Sequence, residues 1–261
     1  MFLSSITLIL QEILEGALII SALLAVTQNL SGMRNWIALG VLLGSLTADA
    51  YGSNIVAISE WFDYVGQEVS YAVIQLSISL LLALIVFLLN NKGIVVITKQ
   101  WLSLSCVLVV TLAVTREGSE IIVYLQGVLA HPEQASSVLA GSGIGAGIGV
   151  SVGVLFYYLL SSLAPVHLKW VGTVLLALIG GNMCAQGMLL FTQADWIGPT
   201  RELWDSSTYL SEYSLMGRLL YALIGYEATP SLAQVGGYLT ALLFTLACGF
   251  IPVKRHQSTP L

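Results

Sequence analysis

The sequence contains few charged residues. Only 9% of its 261 residues are Asp, Glu, Lys or Arg, whereas a soluble domain carries about a quarter. Hydrophobic residues make up 57% of the chain, and its mean hydropathy is +0.88. This composition excludes an ordinary soluble domain and indicates a chain that is solvated mainly by lipid.

Cysteine and histidine are also scarce. The three cysteines, Cys106, Cys184 and Cys248, lie in apolar stretches. No two of them form a CxxC pair, so they indicate neither a redox pair nor a disulfide framework. The three histidines lie in loops or at the terminus: His131, His167 and His256. The sequence contains no HExxH or GxGxxG motif and no Ser/His pairing at membrane depth. We therefore expect no enzyme, no resident cofactor and no nucleic-acid partner.

Seven apolar stretches are long enough to cross a bilayer, which takes roughly 17–25 residues. They lie at about 3–28, 35–58, 69–90, 102–129, 138–164, 169–192 and 232–252. The bilayer core has no water to bind backbone groups, so each stretch is predicted to be a helix. All six tryptophans fall at or just beyond the ends of these stretches, which is typical of an interfacial aromatic belt. The predicted fold is an all-α integral membrane protein with one membrane domain, 1–261.

The distribution of basic residues predicts the orientation of the chain. With the N-terminus outside, six basic residues face inward: Arg34, Lys92, Lys99, Lys169, Lys254 and Arg255. Only Arg201 and Arg218 then face outward, both in the long loop 193–231. The positive-inside rule therefore favours an outside N-terminus, a cytoplasmic C-terminus and a multi-pass protein of the plasma (inner) membrane. The same loop contains a predicted interfacial helix, whose Leu215, Leu219 and Leu220 would lie on the bilayer surface.

Five acidic residues and one arginine interrupt the predicted spans. Glu12 and Glu15 lie halfway along the first span, Glu117 and Glu120 halfway along the fourth beside Arg116, and Asp49 in the outer half of the second. A spacing of three places each glutamate pair on one helix face. A charged side chain at this depth costs about 2.5–3.5 kcal/mol, and one arginine cannot offset five acids.

Three interpretations of these charges stay open. Arg116 could form salt bridges that only lock helices together. The carboxylates could carry protons, since buried acids without partners take them up. Two facing glutamate pairs could also form an all-oxygen cage, which suits a hard cation.

The glutamate pairs also suggest an internal repeat. Laying LQEILEGALI over TREGSEIIVY matches Glu12 with Glu117 and Glu15 with Glu120. The two spans run in opposite directions, so spans one to three and four to six would form an inverted repeat with the seventh appended, as in many transporters. Glycines recur at every fourth position of the fifth span, where they form a smooth ridge for helix packing: Gly141, Gly145, Gly149 and Gly153. The second span has a sparser version of this ridge, at Gly40 and Gly44.

These motifs resemble one known family, the high-affinity iron permeases, or oxidase-dependent iron transporters, of fungi and bacteria. The resemblance covers nearly the whole chain. It rests on REGSE (116–120), on the related QEILE (11–15) and on the tail LWDSSTYLSEYSLMGRLLYALIGYEATPSL. The family has seven transmembrane helices and two Arg-Glu-Gly-x-Glu motifs, in the first and fourth helices, whose glutamates are thought to bind iron in transit.

The resemblance implies residue roles by motif match. Glu12, Glu15, Glu117 and Glu120 would bind iron, and Arg116 and Gly118 complete the second motif. In the first motif Gln11 replaces the family's arginine, which makes the site more negative, and Ile13 replaces its glycine, which would block close backbone approach. GQEVSY (66–71) resembles the start of the third helix, with Glu68 present and Tyr71 where glutamate is common. AQGMLLFTQADW (185–196) resembles the end of the sixth, with Gln193 where glutamate is common.

The function implied is a single permease domain that imports iron, which we expect to be ferric. The alternatives are transport of another metal or a proton-coupled carrier and, less favoured, a non-transporting membrane scaffold or an intramembrane enzyme. The resemblance also implies a ferroxidase or an extracytoplasmic iron-delivery protein as partner. Nothing in the sequence indicates the oligomeric state.

Overall fold

The computed structural model describes residues 2–90, 95–129, 132–211 and 214–250. Ten helices lie in this part of the chain: α1 (Phe2–Val26), α2 (Met33–Ser53), α3 (Ile55–Ser59), α4 (Trp61–Tyr64), α5 (Gly66–Asn90), α6 (Val95–Leu129), α7 (Pro132–Ser161), α8 (Pro165–Gln193), α9 (Leu215–Ile224) and α10 (Leu232–Phe250). Apart from an isolated bridge between Glu202 and Ser231, these residues contain no β-structure. The all-α prediction is confirmed.

Five of the helices in the described residues are long and apolar enough to cross a membrane: α1, α5, α7, α8 and α10. The protein is therefore an all-helical chain with several candidate membrane spans. The predicted second and fourth spans overlap α2 and α6, which are the helices that carry Asp49 and Arg116. The count of seven membrane crossings stays a prediction.

Two helix pairs pack in parallel along stripes of small residues. Along α7, Gly141 lies against the start of α1 at Phe2, and Gly153 lies against Ala17 further along. Along α2, Gly40 lies against Val110 of α6, and Gly52 lies against Ile122. The predicted glycine ridges are thus used for close helix packing, as small residues in membrane helices commonly are.

Two more of the long helices, α5 and α8, pack against each other in opposite directions. Hydrogen bonds join Gln75 to Gln186 and Asn90 to Thr173, so α5 and α8 run antiparallel. As a result one end of the bundle, which we call the basic end, holds the end of α1, the start of α2 and the start of α8. Arg34, Lys99 and Lys169 lie there: Lys99 Nζ donates to Ser31 Oγ at 3.2 Å, and Arg34 Nη2 to Tyr157 Oη at 3.4 Å.

The predicted second span is too long at its end. We expected it to reach residue 58, but α2 ends at Ser53, where Asn54 leaves the helical conformation with φ −109° and ψ 17°. The chain then passes through α3 and α4 to Gly66. A Cβ at Gly66 would collide with the carbonyl of Ile58, so the tight turn requires glycine.

The loop helix is present, but its placement differs from the prediction. Instead of lying across the bilayer surface, α9 packs Ala222, with Leu219 and Leu223, against Leu14 and Leu18 of α1. Burying this apolar face against protein removes it from water more completely than the headgroup region would. The side chain of Leu215 lies outside the described residues.

Polar contacts hold α9 in this position. Arg218 Nη1 donates to the carbonyl oxygen of Thr7 at 2.9 Å. The helix ends at Gly225, whose φ of 70° lies in the left-handed region. A Cβ there would come within 2.9 Å of Asn182, so glycine also permits the close approach to α8.

Gly145→Ala is expected to lower the free energy of unfolding, whereas Gly147→Ala is not. A Cβ on Gly145 would lie 2.5 Å from the carbonyl oxygen of Ile6 and 3.1 Å from the backbone nitrogen of Leu10. Backbone atoms cannot move aside alone, and overpacking typically costs about 1–3 kcal/mol. On Gly147 a Cβ would meet no heavy atom of the described residues within 4 Å. Thermal unfolding in detergent measures both; equal midpoints would contradict the packing of α1 on α7.

Candidate ion site

Four glutamates and one arginine meet between α1 and α6, and we call them the charged cluster. Glu12 and Glu15 come from α1, and Arg116, Glu117 and Glu120 come from α6. The spacing of three places each glutamate pair on one face of its helix, and the structure turns the two faces toward each other. The structure therefore brings together the four glutamates and the arginine of the two motifs.

The guanidinium of Arg116 bridges the two helices within the charged cluster. Its Nη1 donates to Glu15 Oε2 at 3.2 Å and to both carboxylate oxygens of Glu117, at 2.8 and 2.7 Å. Its Nη2 lies 3.3 Å from Glu120 Oε1. One cation thus forms ion pairs with three carboxylates from the two helices. Among the described residues, no three His, Cys, Asp or Glu side chains form a group ready to hold a metal ion.

Glu12 is placed differently from the other three glutamates. It is 6% exposed, and its Oε2 has no hydrogen-bond partner among the described residues. The carboxylates of Glu117, Glu120 and Glu15 lie close enough to act on its charge. Carboxylates this close repel each other unless a proton or a cation lies between them. Glu12 is also the glutamate of the cluster for which the described residues show no ion pair with Arg116.

Small residues make room for the charged cluster. The Cγ of Glu117 lies 3.8 Å from the position that a Cβ would take on Gly16. A Cβ on Gly118 would lie 2.9 Å from Ala48 Cβ of α2, so glycine in the second motif allows α2 and α6 to approach closely. Gln11 Nε2 donates to Glu15 Oε1 at 3.5 Å, which partly replaces the interaction of an arginine.

The expectation that Ile13 blocks close helix approach is corrected by the structure. Ile13 faces Gly149 of α7, where a Cβ would lie only 2.8 Å from Ile13 Cγ2. In the second motif the glycine, Gly118, is on the motif helix and the partner residue is Ala48. In the first motif the larger residue is on the motif helix and the glycine is on its partner. The close approach of α1 and α7 is therefore retained, because the glycine at this contact is Gly149 of α7 and not a residue of α1.

A cavity of about 380 Å³, which we call the vestibule, opens beside the charged cluster. Its polar lining consists of Glu12, Glu68, Glu120, Gln67, Tyr71 and Gln193, together with Tyr124. Glu68 lies in the first turn of α5 and Gln193 is the last residue of α8, so the vestibule lies at the end of the bundle opposite the basic end. Asp49 is not brought to this site, because its side chain is exposed on α2.

Tyr71 is a lining residue whose role the sequence did not predict. Its hydroxyl group bonds to Ser119 Oγ at 2.9 Å, within the second motif, and its ring stacks on Tyr51 with centroids 5.3 Å apart. The sequence has Tyr71 where the family commonly has glutamate, but only the packing of α5 on α6 shows its contact with the motif. Tyr71 connects the vestibule wall to the charged cluster.

Comparison with known proteins identifies the family of the chain. The model of the iron permease FTR1 family matches residues 2–253, nearly the whole chain. The chain belongs to the iron permease FTR1 family. The ferrous iron permease EfeU of Escherichia coli O6:H1 (strain CFT073) is 26% identical over 268 residues, with 95% of each chain covered. The ferrous iron permeases EfeU of Shigella sonnei (strain Ss046) and E. coli O157:H7 are 26% identical over 267 residues with the same coverage. No solved structure matches the chain.

Family membership confirms the family predicted from REGSE and QEILE. An iron permease is a membrane transporter, which agrees with the several long apolar helices. Both glutamate motifs lie inside the matched range.

Proposed function

We propose that this iron permease imports iron through the vestibule and the charged cluster. The observation that supports this most directly is the placement of Glu12 and Glu120, which belong to the charged cluster and also line the vestibule. An ion in the vestibule would therefore meet cluster carboxylates without any change in helix packing. All-oxygen ligand sets suit hard cations.

Glu15 and Glu117, which we call the deeper pair, would receive the ion next. Glu15 and Glu117 are 3% and 4% exposed and do not line the vestibule. Both bind Arg116, so an arriving cation would compete with the guanidinium for their oxygens. Repulsion between the ion and Arg116 would limit how tightly the ion is held. Transport requires this, because an ion that binds too strongly does not leave.

The oxidation state of the ion is part of the proposal. Four carboxylates against one guanidinium leave three formal negative charges, which favours highly charged ions, ferric iron among them. The relatives are named ferrous iron permeases, and one proton on the cluster would leave two charges, which match a ferrous ion. Uptake with each oxidation state distinguishes these possibilities.

We also propose seven crossings with an inverted repeat. If α1, α2 and α5 correspond to α6, α7 and α8, the α1–α7 contact corresponds to the α6–α2 contact, and a glycine stripe lies in both. The basic end would face the cytoplasm by the positive-inside rule. The vestibule would then open outside the plasma membrane, where a ferroxidase or an iron-delivery protein could supply iron.

Iron uptake into liposomes that contain the purified protein tests the proposed function. We expect wild type to take up radioactive iron, and Glu12→Gln to lower uptake by at least about tenfold because each 1.4 kcal/mol of lost ion binding is a factor of ten. Glu133→Gln, at an exposed position near the start of α7, is the matched control. Ferric iron is supplied as citrate, and ferrous iron with ascorbate.

Two further readouts separate the alternatives. Equal uptake of manganese or zinc would show a general metal carrier, and acidification of the lumen without iron would show a proton carrier. Absence of any iron uptake by wild type, together with intact folding, would contradict the proposal.

A further inference from the structure

A ladder of buried side-chain amides joins α9, α8 and α5. Asn182 Nδ2 donates to the carbonyl oxygen of Tyr221 at 3.0 Å. Gln186 Nε2 donates to Asn182 Oδ1 at 3.3 Å, and Gln75 Nε2 donates to Gln186 Oε1 at 2.6 Å. Gln75 is 0% exposed and Gln186 is 4% exposed. Buried amides are costly to place, so their orientation and remaining hydrogen-bonding capacity matter.

The backbone carbonyl of Tyr221 sets the direction of the whole ladder. A carbonyl can only accept, so Asn182 must present its amide nitrogen there and its oxygen to Gln186. Gln186 must then donate to Asn182 and accept from Gln75. Gln75 Oε1 is therefore the acceptor end of the ladder, and it has no hydrogen-bond partner among the described residues.

Gln75 belongs to a row of α5 side chains that begins at the vestibule. Tyr71, which lines the vestibule, is one helical turn before Gln75 on the same face of α5, and Ser79 is one turn after it. Ser79 Oγ and Thr245 Oγ1 of α10 lie 3.7 and 3.8 Å from the position of a Cβ on Gly180. Thr245 Oγ1 is also buried without a hydrogen-bond partner among the described residues.

We propose that Gln75 Oε1 is a second binding point for the transported cation, beyond the charged cluster. The oxygens of Gln75, Ser79 and Thr245 continue the route toward the basic end of the bundle. A neutral amide oxygen holds a cation less strongly than a carboxylate does, so this position accepts an ion and also releases it, as conduction requires. This inference rests on the proposed function, because it names the next position of the same ion.

Two substitutions of Gln75 test the inference in liposomes. Gln75→Met keeps the volume and removes the oxygen, and we expect iron uptake to fall by at least about tenfold while iron still binds the untouched charged cluster. Gln75→Glu keeps an oxygen and adds a charge, so we expect a lower KM and a lower maximal rate. Ser77→Ala removes a hydroxyl group from a different face of α5 and is the control.

The KM separates an ion-binding role from a structural role. Gln75→Met with uptake within about twofold of wild type would overturn the inference while leaving the proposed function intact. Equal KM values for Gln75→Glu and Gln75→Met would also overturn the inference, because an effect of lost packing alone does not depend on the added charge. If wild type takes up no iron, the proposed function fails and this inference fails with it.

Gly180→Ala provides a test if Gln75→Met does not fold. Its new methyl group would make only ordinary contacts, at 3.7 Å or more, so folding is expected to be normal. The methyl group would fill the space between Ser79 and Thr245, and we expect uptake to fall by about fivefold or more. Gly127→Ala, where a Cβ meets no described heavy atom within 4 Å, is its control. Unchanged uptake by Gly180→Ala would overturn the inference.

Discussion

Glu117→Gln is expected to abolish iron uptake without preventing folding. Both carboxylate oxygens of Glu117 accept from Arg116 Nη1, at 2.8 and 2.7 Å. Glutamine has the same shape, and its carbonyl oxygen can still accept one of these hydrogen bonds, so the packing against Gly16 is retained. The substitution removes a charged ligand from the deeper pair. We expect uptake to fall by at least tenfold, equivalent to about 1.4 kcal/mol of lost ion binding.

Asp49→Asn is the matched control for Glu117→Gln. It makes the same change from acid to amide in a long helix, but Asp49 is exposed on α2, outside the charged cluster. Uptake of radioactive iron and the amount of folded protein are measured for both variants. Normal uptake by Glu117→Gln would contradict the role of Glu117 in ion binding. Equal losses in both variants would point to a general effect of negative charge.

The charged cluster could be predicted from the sequence because charge is so rare in this chain. Glu12, Glu15, Glu117 and Glu120 stand out at mid-span, and their spacing of three determines the helix face without any tertiary information. The central position of Arg116 could not be predicted in the same way. It depends on the distance and rotation between α1 and α6, which neither helix sequence specifies alone.

The glycine stripes show the same division between local and tertiary information. The four-residue period predicted that the fifth span packs closely on a neighbour, but not that the neighbour is α1. Only the structure shows that Gly149 lies opposite Ile13, so an apparent loss in the first motif is balanced on another helix. The position of α9 was missed for a similar reason. Its amphipathic pattern fits a lipid surface and a protein surface equally well, and contact with Leu14 and Leu18 decides between them.

Arg116→Gln is expected to have the largest effect on stability. The guanidinium makes ion pairs with Glu15, Glu117 and Glu120 at 3.2, 2.7 and 3.3 Å. Removing one partner from a buried ion pair typically costs about 3–5 kcal/mol, because an uncompensated charge stays buried. We therefore expect a lower free energy of unfolding, and partial recovery in the double variant with Glu117→Gln. A double-mutant cycle measures this coupling. Purely additive losses would contradict it.

Iron itself separates the two roles that Arg116 has in this site. If the guanidinium and the transported ion compete for the same carboxylates, iron should raise the unfolding temperature of Arg116→Gln more than that of wild type, since a ligand that binds more tightly stabilises the folded state more. The tighter binding should also slow release, so uptake by this variant should fall while the amount of bound iron rises. If Arg116 only locks the helices together, iron would not restore the stability of the variant, and bound iron would not rise. The unfolding temperature and the amount of bound iron together show whether the guanidinium of Arg116 occupies the carboxylates when no ion is bound there.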